Sequence, residues 1–399
     1  MPTIHWLGAG LSSVPGIRRL AASGRAFVLW NRTLSKAVDA MDGGGQAREL
    51  NWEALAVAVQ PGDVVVSMLP ADLHLQVAGF CLQHRLHFVS SSYVSPAMQA
   101  LDADARTHDL CFVNEVGLDP GIDHLMAHVL MADYQASGVM NPRHLHRFRS
   151  FCGGFPSQAN DFRYKFSWSP LGVLRALKTP ARWIENGAET ATDKPWKALS
   201  SCTVNLPGGQ ETFQAYPNRD SIPFAEQYGF TSEFNLQSFV RGTLRLDGWA
   251  EAWRDVFAVV EDNSTAEDNS TAEDNSTAED NSTAEDNSTA EDRLITLSDQ
   301  LWNQYAYEPD EPDRVILHVE LIVTDGVNPA WRGAYTLDEH GNSAGSAMAR
   351  LVSKTVSIAV EAVMDGELSP GVSAAPSNRQ TADAWMTELA ASGEHIVRI

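Results

Sequence analysis

The residues whose types and spacing first suggest chemistry are Gly8-Ala-Gly10-Leu-Ser-Ser13, which directly follow the apolar run Thr3–Leu7. In a dinucleotide-binding fold the chain turns beneath a pyrophosphate between its first strand and the helix that follows. Gly8 permits the tight turn there, and Gly10 lets the backbone approach the phosphates, whose charge meets the free amides and positive end of the helix. Leu11 and Ser12 complete the turn. Ser13 stands where a third glycine is usual, and its small side chain still allows close packing. The next apolar run, Ala26–Trp30, leads into Asn31-Arg32-Thr33, at the place where an NAD enzyme usually offers Asp or Glu to the ribose hydroxyls. Arg32 can stack on adenine and pair with a 2′-phosphate, which favours NADP(H) over NAD(H); the bland alternative is a solvated arginine in a loop. Val64–Met68 then runs into Leu69 and Pro70. Because the carboxyl ends of strands line the ligand crevice in such folds, Ser67, Met68, Leu69 and Pro70 are expected to border the nicotinamide ribose, or else simply to close a buried strand.

These turns need a scaffold, and the first 115 residues supply the pattern of one. Thr3–Leu7, Ala26–Trp30, Val64–Met68, His87–Val89 and Cys111–Val113 read as strands, with helices near 14–23, 33–42, 51–58, 72–83 and 95–107. Strand and helix in alternation predict an α/β fold, a Rossmann-like, doubly wound parallel sheet covered on both faces. From about 145 the texture turns to aromatic-rich strands, including Phe148–Cys152, Tyr164–Trp168 and Val315–Val323. The expected organisation is a cofactor-binding domain over 1–120 and an α+β substrate and dimerisation domain over 121–345, with 345–399 packing back on the first. Ser346–Met364 places apolar residues at helical spacing and is assigned to packing.

Composition narrows the function. The formal charge of −22 argues against nucleic acid and anionic membranes as partners, since both demand a basic surface. Part of it is local: five copies of Glu-Asp-Asn-Ser-Thr-Ala fill 261–290, and removing their ten acids takes the balance from −22 to −12. That tract lacks apolar periodicity and reads as a flexible loop or spacer. Cys81, Cys111, Cys152 and Cys202 match no zinc spacing and read as reduced thiols. No apolar run approaches the length of a membrane helix, so the cytoplasm is the expected address. His124 and His128 are four apart, but the glutamate of a zinc hydrolase motif is missing, and no metal is expected.

At Asn114-Glu-Val-Gly-Leu-Asp-Pro-Gly-Ile-Asp-His124 the chain resembles the saccharopine dehydrogenase family, in its glutamate-forming branch. The likeness recurs in order at Ser91–Pro96, Phe151–Gly154, Tyr164–Ser169, Tyr216–Ser221 and Arg241–Arg245. It spans nearly everything outside 261–290, where fungal members carry a larger insertion. The resemblance implies an NADP(H)-dependent oxidoreductase that splits saccharopine into glutamate and aminoadipate semialdehyde, with a homodimer as the expected assembly. It places Ser91, Leu118, Asp119 and Ser169 beside the cofactor, and Ser92, Tyr93, Trp168, Thr243 and Leu244 around the substrate. Arg219 and Arg245 would hold substrate carboxylates through paired hydrogen bonds, a geometry lysine cannot reproduce. Asp119, Tyr93 and Cys152 are the candidates for proton handling, Cys152 mainly as lining. Asp119 has a structural alternative as N-cap of a helix starting near Pro120, and Asp123 in the same turn is expected to offset the helix dipole. Two rivals stay open: a related amine dehydrogenase acting on carboxynorspermidine, lysine or another adduct, and a non-catalytic NADP(H)-binding module.

Overall fold

The computed structural model describes residues 2–262 and 282–399. It divides into two compact units, Met1–Gly138 with Glu339–Arg398, and Val139–Asp338 with Ile399.

In the first unit, six strands follow one another with helices between them: β1 (Ile4–Leu7), β2 (Phe27–Asn31), β3 (Gln46–Glu49), β4 (Val64–Ser67), β5 (His87–Ser90) and β6 (Cys111–Val113). With the short strand Gly371–Ser373 they form one parallel sheet in the order 371–373, β6, β5, β4, β1, β2, β3. The central strands are buried on both faces, so they read as continuous apolar runs rather than alternating ones. The helices are α1 (Val14–Ala22), α2 (Leu34–Met41), α3 (Trp52–Ala58), α4 (His74–His84), α5 (Pro96–Gln99), α6 (Asp102–Thr107) and α7 (Ile122–Ala136). One face of the sheet, with Leu7, Trp30, Val65 and Phe88, packs on Leu55, Val77 and Cys81.

Three sequence expectations change here. The single helix over 95–107 is two helices, because the Asp102 carboxylate is drawn onto the Val372 amide at 2.8 Å. The polar edge strand β3, with no apolar run to announce it, was not expected. And α7, assigned by sequence to the second domain, belongs to this unit.

The C-terminal segment returns to the first unit. Helix Ala347–Met364 starts at Ser346, whose hydroxyl accepts from the Ala349 amide. It packs so closely on α1 that a Cβ on Gly16 would lie 2.2 Å from the Ser353 carbonyl oxygen, while the Gly16 amide donates to Ser353 Oγ at 2.8 Å. Close packing of α1 on this helix is thus the work of Gly16, while Ser13 is buried as the residue before α1. Arg19 joins the contact through Glu361 and Glu388. Arg350 is buried on Glu394, which also takes Lys354 at 2.5 Å.

The second unit is built on a mixed sheet. Its strands are β7 (Leu145–Pro156), β8 (Ala181–Glu185), β9 (Ala188–Thr192), β10 (Ser200–Leu206), β11 (Gly209–Pro217), β12 (Asn235–Arg245), β13 (Asp313–Asp325) and β14 (Asn328–His340), with helix α8 (Pro170–Lys178) between the first two. The main order is β10, β11, β12, β7, β13, β14. The sheet curls until Thr336 on β14 donates to the Asn205 carbonyl on β10. Inside the curl lie Phe151, Phe155, Val204, Phe213, Leu244 and Ile316, with buried Glu320 paired to Arg149 and Arg332. Tyr164–Trp168 is not the strand its aromatics suggest. Tyr164 and Phe166 turn into a cluster with Trp249 and Trp253, and the Phe166 amide reaches the Tyr305 carbonyl from a loop. Of the acidic repeats, 263–281 lie outside the described residues. The loop reading does not hold at the ends of the tract, where helices Arg254–Asp262 and Ser282–Tyr305 extend into it. Leu294 and Leu301 anchor the latter helix in the aromatic cluster, and propagation from a packed segment costs little.

Gly16→Ala is expected to destabilise the protein by about 2 kcal/mol through overpacking against backbone, visible as a lower Tm in calorimetry. Gly10→Ala, with no atom within 4 Å of the added Cβ, should leave Tm unchanged.

Candidate active site

The glycine turn is fixed from both sides. The Gly8 amide donates to the Trp30 carbonyl at 2.8 Å, and the Ala9 amide donates to Asn31 Oδ1 at 3.1 Å. Gly8 has φ of +103°, and a Cβ there would meet the Met68 carbonyl oxygen at 2.6 Å, so only glycine fits. Asn31 also donates to the Thr33 carbonyl. Its place is therefore between the turns after β1 and β2, holding one to the other. Gly10 and Leu11 are exposed, Ser12 is half-buried and Ser13 is buried as the residue before α1. Arg32 and Thr33 are exposed, with no carboxylate side chain at either of those two positions.

Ser67 ends β4 fully buried, its hydroxyl 2.8 Å from His74 Nδ1 at the start of α4. Burial pulls the His74 pKa down from 6.5 to about 4, against a smaller opposing pull from Asp72. Met68 and Leu69 are half-buried and Pro70 is exposed beyond them. Ser91 follows β5, with its hydroxyl 3.8 Å from Met68 Sδ. Sequence reading passed over His74, although a histidine seven residues after a strand-ending serine is the visible part of that contact.

The segment 114–124 folds back on itself. Gly117 donates to the Pro120 carbonyl, Ile122 to Gly117 and Asp123 to Leu118. Gly121 has φ of +147°, and a Cβ there would lie 2.1 Å from the Gly117 carbonyl oxygen. The Asp119–Pro120 peptide is cis. The structural alternative for Asp119, as an N-cap, does not hold: α7 begins at Ile122 after Gly121, and it is Asp123 Oδ1 that accepts the Gly121 amide, at 2.7 Å. Two positions too early, Asp119 is left half-buried with Oδ1 3.4 Å from the Tyr93 hydroxyl. Leu118 is buried, and Ser92 is half-buried beside Tyr93. His124 faces Glu115 at 3.0 Å, and the pKa of His128 falls to about 4 through burial, with His124 adding to the fall.

In the second unit, strand alternation sorts the remaining residues. Cys152, Thr243 and Tyr216 are in register across β7, β12 and β11, so they share a face, and Arg245 two residues on joins it. Leu244 points the opposite way into the curled core, which removes its side chain from the substrate set. Arg245 is 7% exposed and lies over the rings of Tyr164, Trp249 and Tyr216 at 4.9, 5.3 and 5.5 Å. Its Nη1 donates to the Leu244 carbonyl, and its Nε has no acceptor. Among the described residues Arg245 forms no ion pair. Burial raises the pKa values of Tyr164 and Tyr216, and the Arg245 charge opposes that rise. Trp168 is 39% exposed. Ser169 caps α8, its hydroxyl accepting from the Gly172 amide. Arg219 is exposed, in the left-handed region at φ +56°. Cys152 is a half-buried free thiol.

A dinucleotide fold with this strand-end constellation defines a nicotinamide-dependent oxidoreductase. Residues 4–113 match the family model for the saccharopine dehydrogenase NADP binding domain, and 117–394 match that for the saccharopine dehydrogenase C-terminal domain. The chain therefore belongs to the saccharopine dehydrogenase family. It is 30% identical to the NADP(+)-dependent, L-glutamate-forming saccharopine dehydrogenase of Pyricularia oryzae, over 97% of this chain and 96% of that one. The namesake from Saccharomyces cerevisiae is also 30% identical, covering 96% and 95%. The apo structure of a histidine-tagged saccharopine dehydrogenase from S. cerevisiae superposes with a TM-score of 0.77 at 26% identity, across 100% and 99% of the two chains.

Between pH 6.5 and 4 the unfolded chain binds a proton that folded His74 refuses. Stability is thus intact above pH 6.5 and declines as pH falls toward 4. His74→Gln should flatten the fall of Tm across that window in calorimetry, and an unaltered slope would refute a buried neutral histidine.

Proposed function

We propose that the chain oxidises saccharopine with NADP+, releasing L-glutamate and 2-aminoadipate 6-semialdehyde in lysine metabolism, and catalyses the reductive condensation in the opposite direction. The observation that carries this reading is Arg245, a buried guanidinium held among three aromatic rings with an unused Nε. A buried charge is costly until an anion joins it, and saccharopine carries three carboxylates. Arg219 is the second carboxylate clamp, and Trp168, Ser92 and Thr243 bound the rest of the substrate.

The first unit fits NADP(H). The cradle at Gly8 excludes any side chain, Gly10 is open to a close approach and Arg32 offers an exposed cation at the end of β2. Gly8–Ser13 would hold the pyrophosphate and Arg32 the 2′-phosphate, with Ser67–Pro70, Ser91 and Leu118 toward the nicotinamide. When bound, NADP+ supplies the acceptor for the hydride that leaves the carbon beside the bridging nitrogen. The resulting imine takes up water, and its carbon–nitrogen bond breaks to give the aldehyde and the amine of glutamate. Asp119 and Tyr93, within hydrogen-bond reach of each other, carry the protons that the amine and the water give up. Cys152 lines the same face as Thr243. The resemblance supports a homodimer, to be checked by sedimentation, and four free cysteines fit a reducing cytoplasm.

Absorbance at 340 nm with NADP+ or NAD+ and saccharopine tests the reading, alongside NADPH oxidation with aminoadipate semialdehyde and different amino acids. Turnover of another adduct in place of saccharopine would overturn it. Arg245→Lys should raise the saccharopine KM roughly 30-fold while NADPH binding is unchanged. Arg32→Ala should weaken NADP+ roughly ten-fold with little effect on NAD+.

A further inference from the structure

Glu115 makes three contacts at once. Its amide donates to the Ser92 carbonyl at 3.0 Å, and its Oε1 accepts from the Val94 amide at 2.8 Å. Its Oε2 lies 3.0 Å from His124 Nε2, a close polar contact between two buried side chains. Glu115 is 4% exposed and His124 2%. The backbone of Glu115 sits at φ +55°, a conformation that a residue with a side chain rarely keeps unless its surroundings demand it. His124 is tied to the turn after Asp119, its amide donating to the Gly121 carbonyl at 3.0 Å. One carboxylate oxygen therefore holds the segment that carries Ser92 and Tyr93, and the other meets the first turn of the helix that closes the Asp119 loop.

We infer that the Glu115–His124 pair is a positioning latch, which fixes Ser92–Val94 against the Leu118–Gly121 turn so that the Tyr93 hydroxyl and the Asp119 carboxylate stay within reach. The inference rests on the proposed proton-handling role of those two residues. Their 3.4 Å separation is near the limit of a useful hydrogen bond, so a displacement of a few tenths of an ångström separates them. Glu115 and His124 act through their neighbours and are positioning residues.

The test uses the full chain as wild type, Glu115→Gln, His124→Gln and the double variant. Glutamine at 115 keeps the side-chain length and an oxygen for Val94 while removing the charge facing His124. Turnover of saccharopine is read at 340 nm, NADPH affinity by fluorescence titration, and amide exchange of the 91–95 peptide by mass spectrometry. Each single variant is expected to lower kcat by roughly ten-fold. The double variant should be no slower than the worse single one, as for residues that act as a unit. NADPH affinity should hold, and Ser92–Val94 should exchange faster. Unchanged kcat and exchange in both single variants overturns the latch, as does NADPH affinity that falls in step with activity. If the wild type does not turn saccharopine over, the proposed function fails instead, and the exchange comparison still decides the latch.

Discussion

A buried arginine, Arg245, pairs with no carboxylate among the described residues and is enclosed by the aromatic side of the second unit. Removing a guanidinium from water is unfavourable by several kcal/mol, and the fold offsets this only in part. The faces of Tyr164, Tyr216 and Trp249 present their negative quadrupoles to the cation, and the Leu244 carbonyl takes one N–H. Those rings belong to the cluster that packs α8 and helix Ser282–Tyr305 on the sheet. The aromatic richness of this half of the chain therefore both builds a core and surrounds the Arg245 guanidinium with ring faces. A lysine there would lose the planar fork and the stacking geometry together.

The first unit meets a different constraint, the crowding of turns at the carboxyl ends of parallel strands. Gly8 touches Met68, Asn31 bridges the turns after β1 and β2, Ser67 is tied to His74, and a Cβ on Gly117 would lie 2.9 Å from that of Ser91. Each turn is held by the next, so that few of these side chains remain turned outward. Gly10, Leu11, Arg32, Thr33 and Pro70 are among the exposed residues of these turns.

Much of this was legible from residues alone, for identifiable reasons. The helix after Ser346 carries strong periodicity, and the five apolar strands are legible as short continuous apolar runs, too short for helices and spaced by helical segments. The Gly8 turn was legible because the chemistry of a tight turn admits only one residue. What escaped is what depends on partners distant in sequence. Edge strand β3 has no core to announce it. Leu244 sits between two residues of the candidate site, yet pleating sends it to the opposite face. Ser169 is a helix-start residue whose capping task follows from where α8 begins, a matter of one or two positions. His74 and Glu115 are polar residues whose meaning lies in the loops they hold.

The return of the chain explains why the first unit is more than a dinucleotide fold with an appendage. Helix α1, which follows the glycine turn, packs against a helix more than 300 residues away through Gly16 and Ser353 and through the pairs of Arg19 with Glu361 and Glu388. Strand Gly371–Ser373 then adds to the sheet beside β6 and draws Asp102 onto its Val372 amide, so the C-terminal segment secures both the helix beneath the cofactor turn and the far edge of the sheet. Such contacts are slow to form because the loop they close is long. The first unit is thus assembled from segments on both sides of the second in sequence, and helix Arg379–Ala391 is joined to α7 by the Arg379–Asp133 pair.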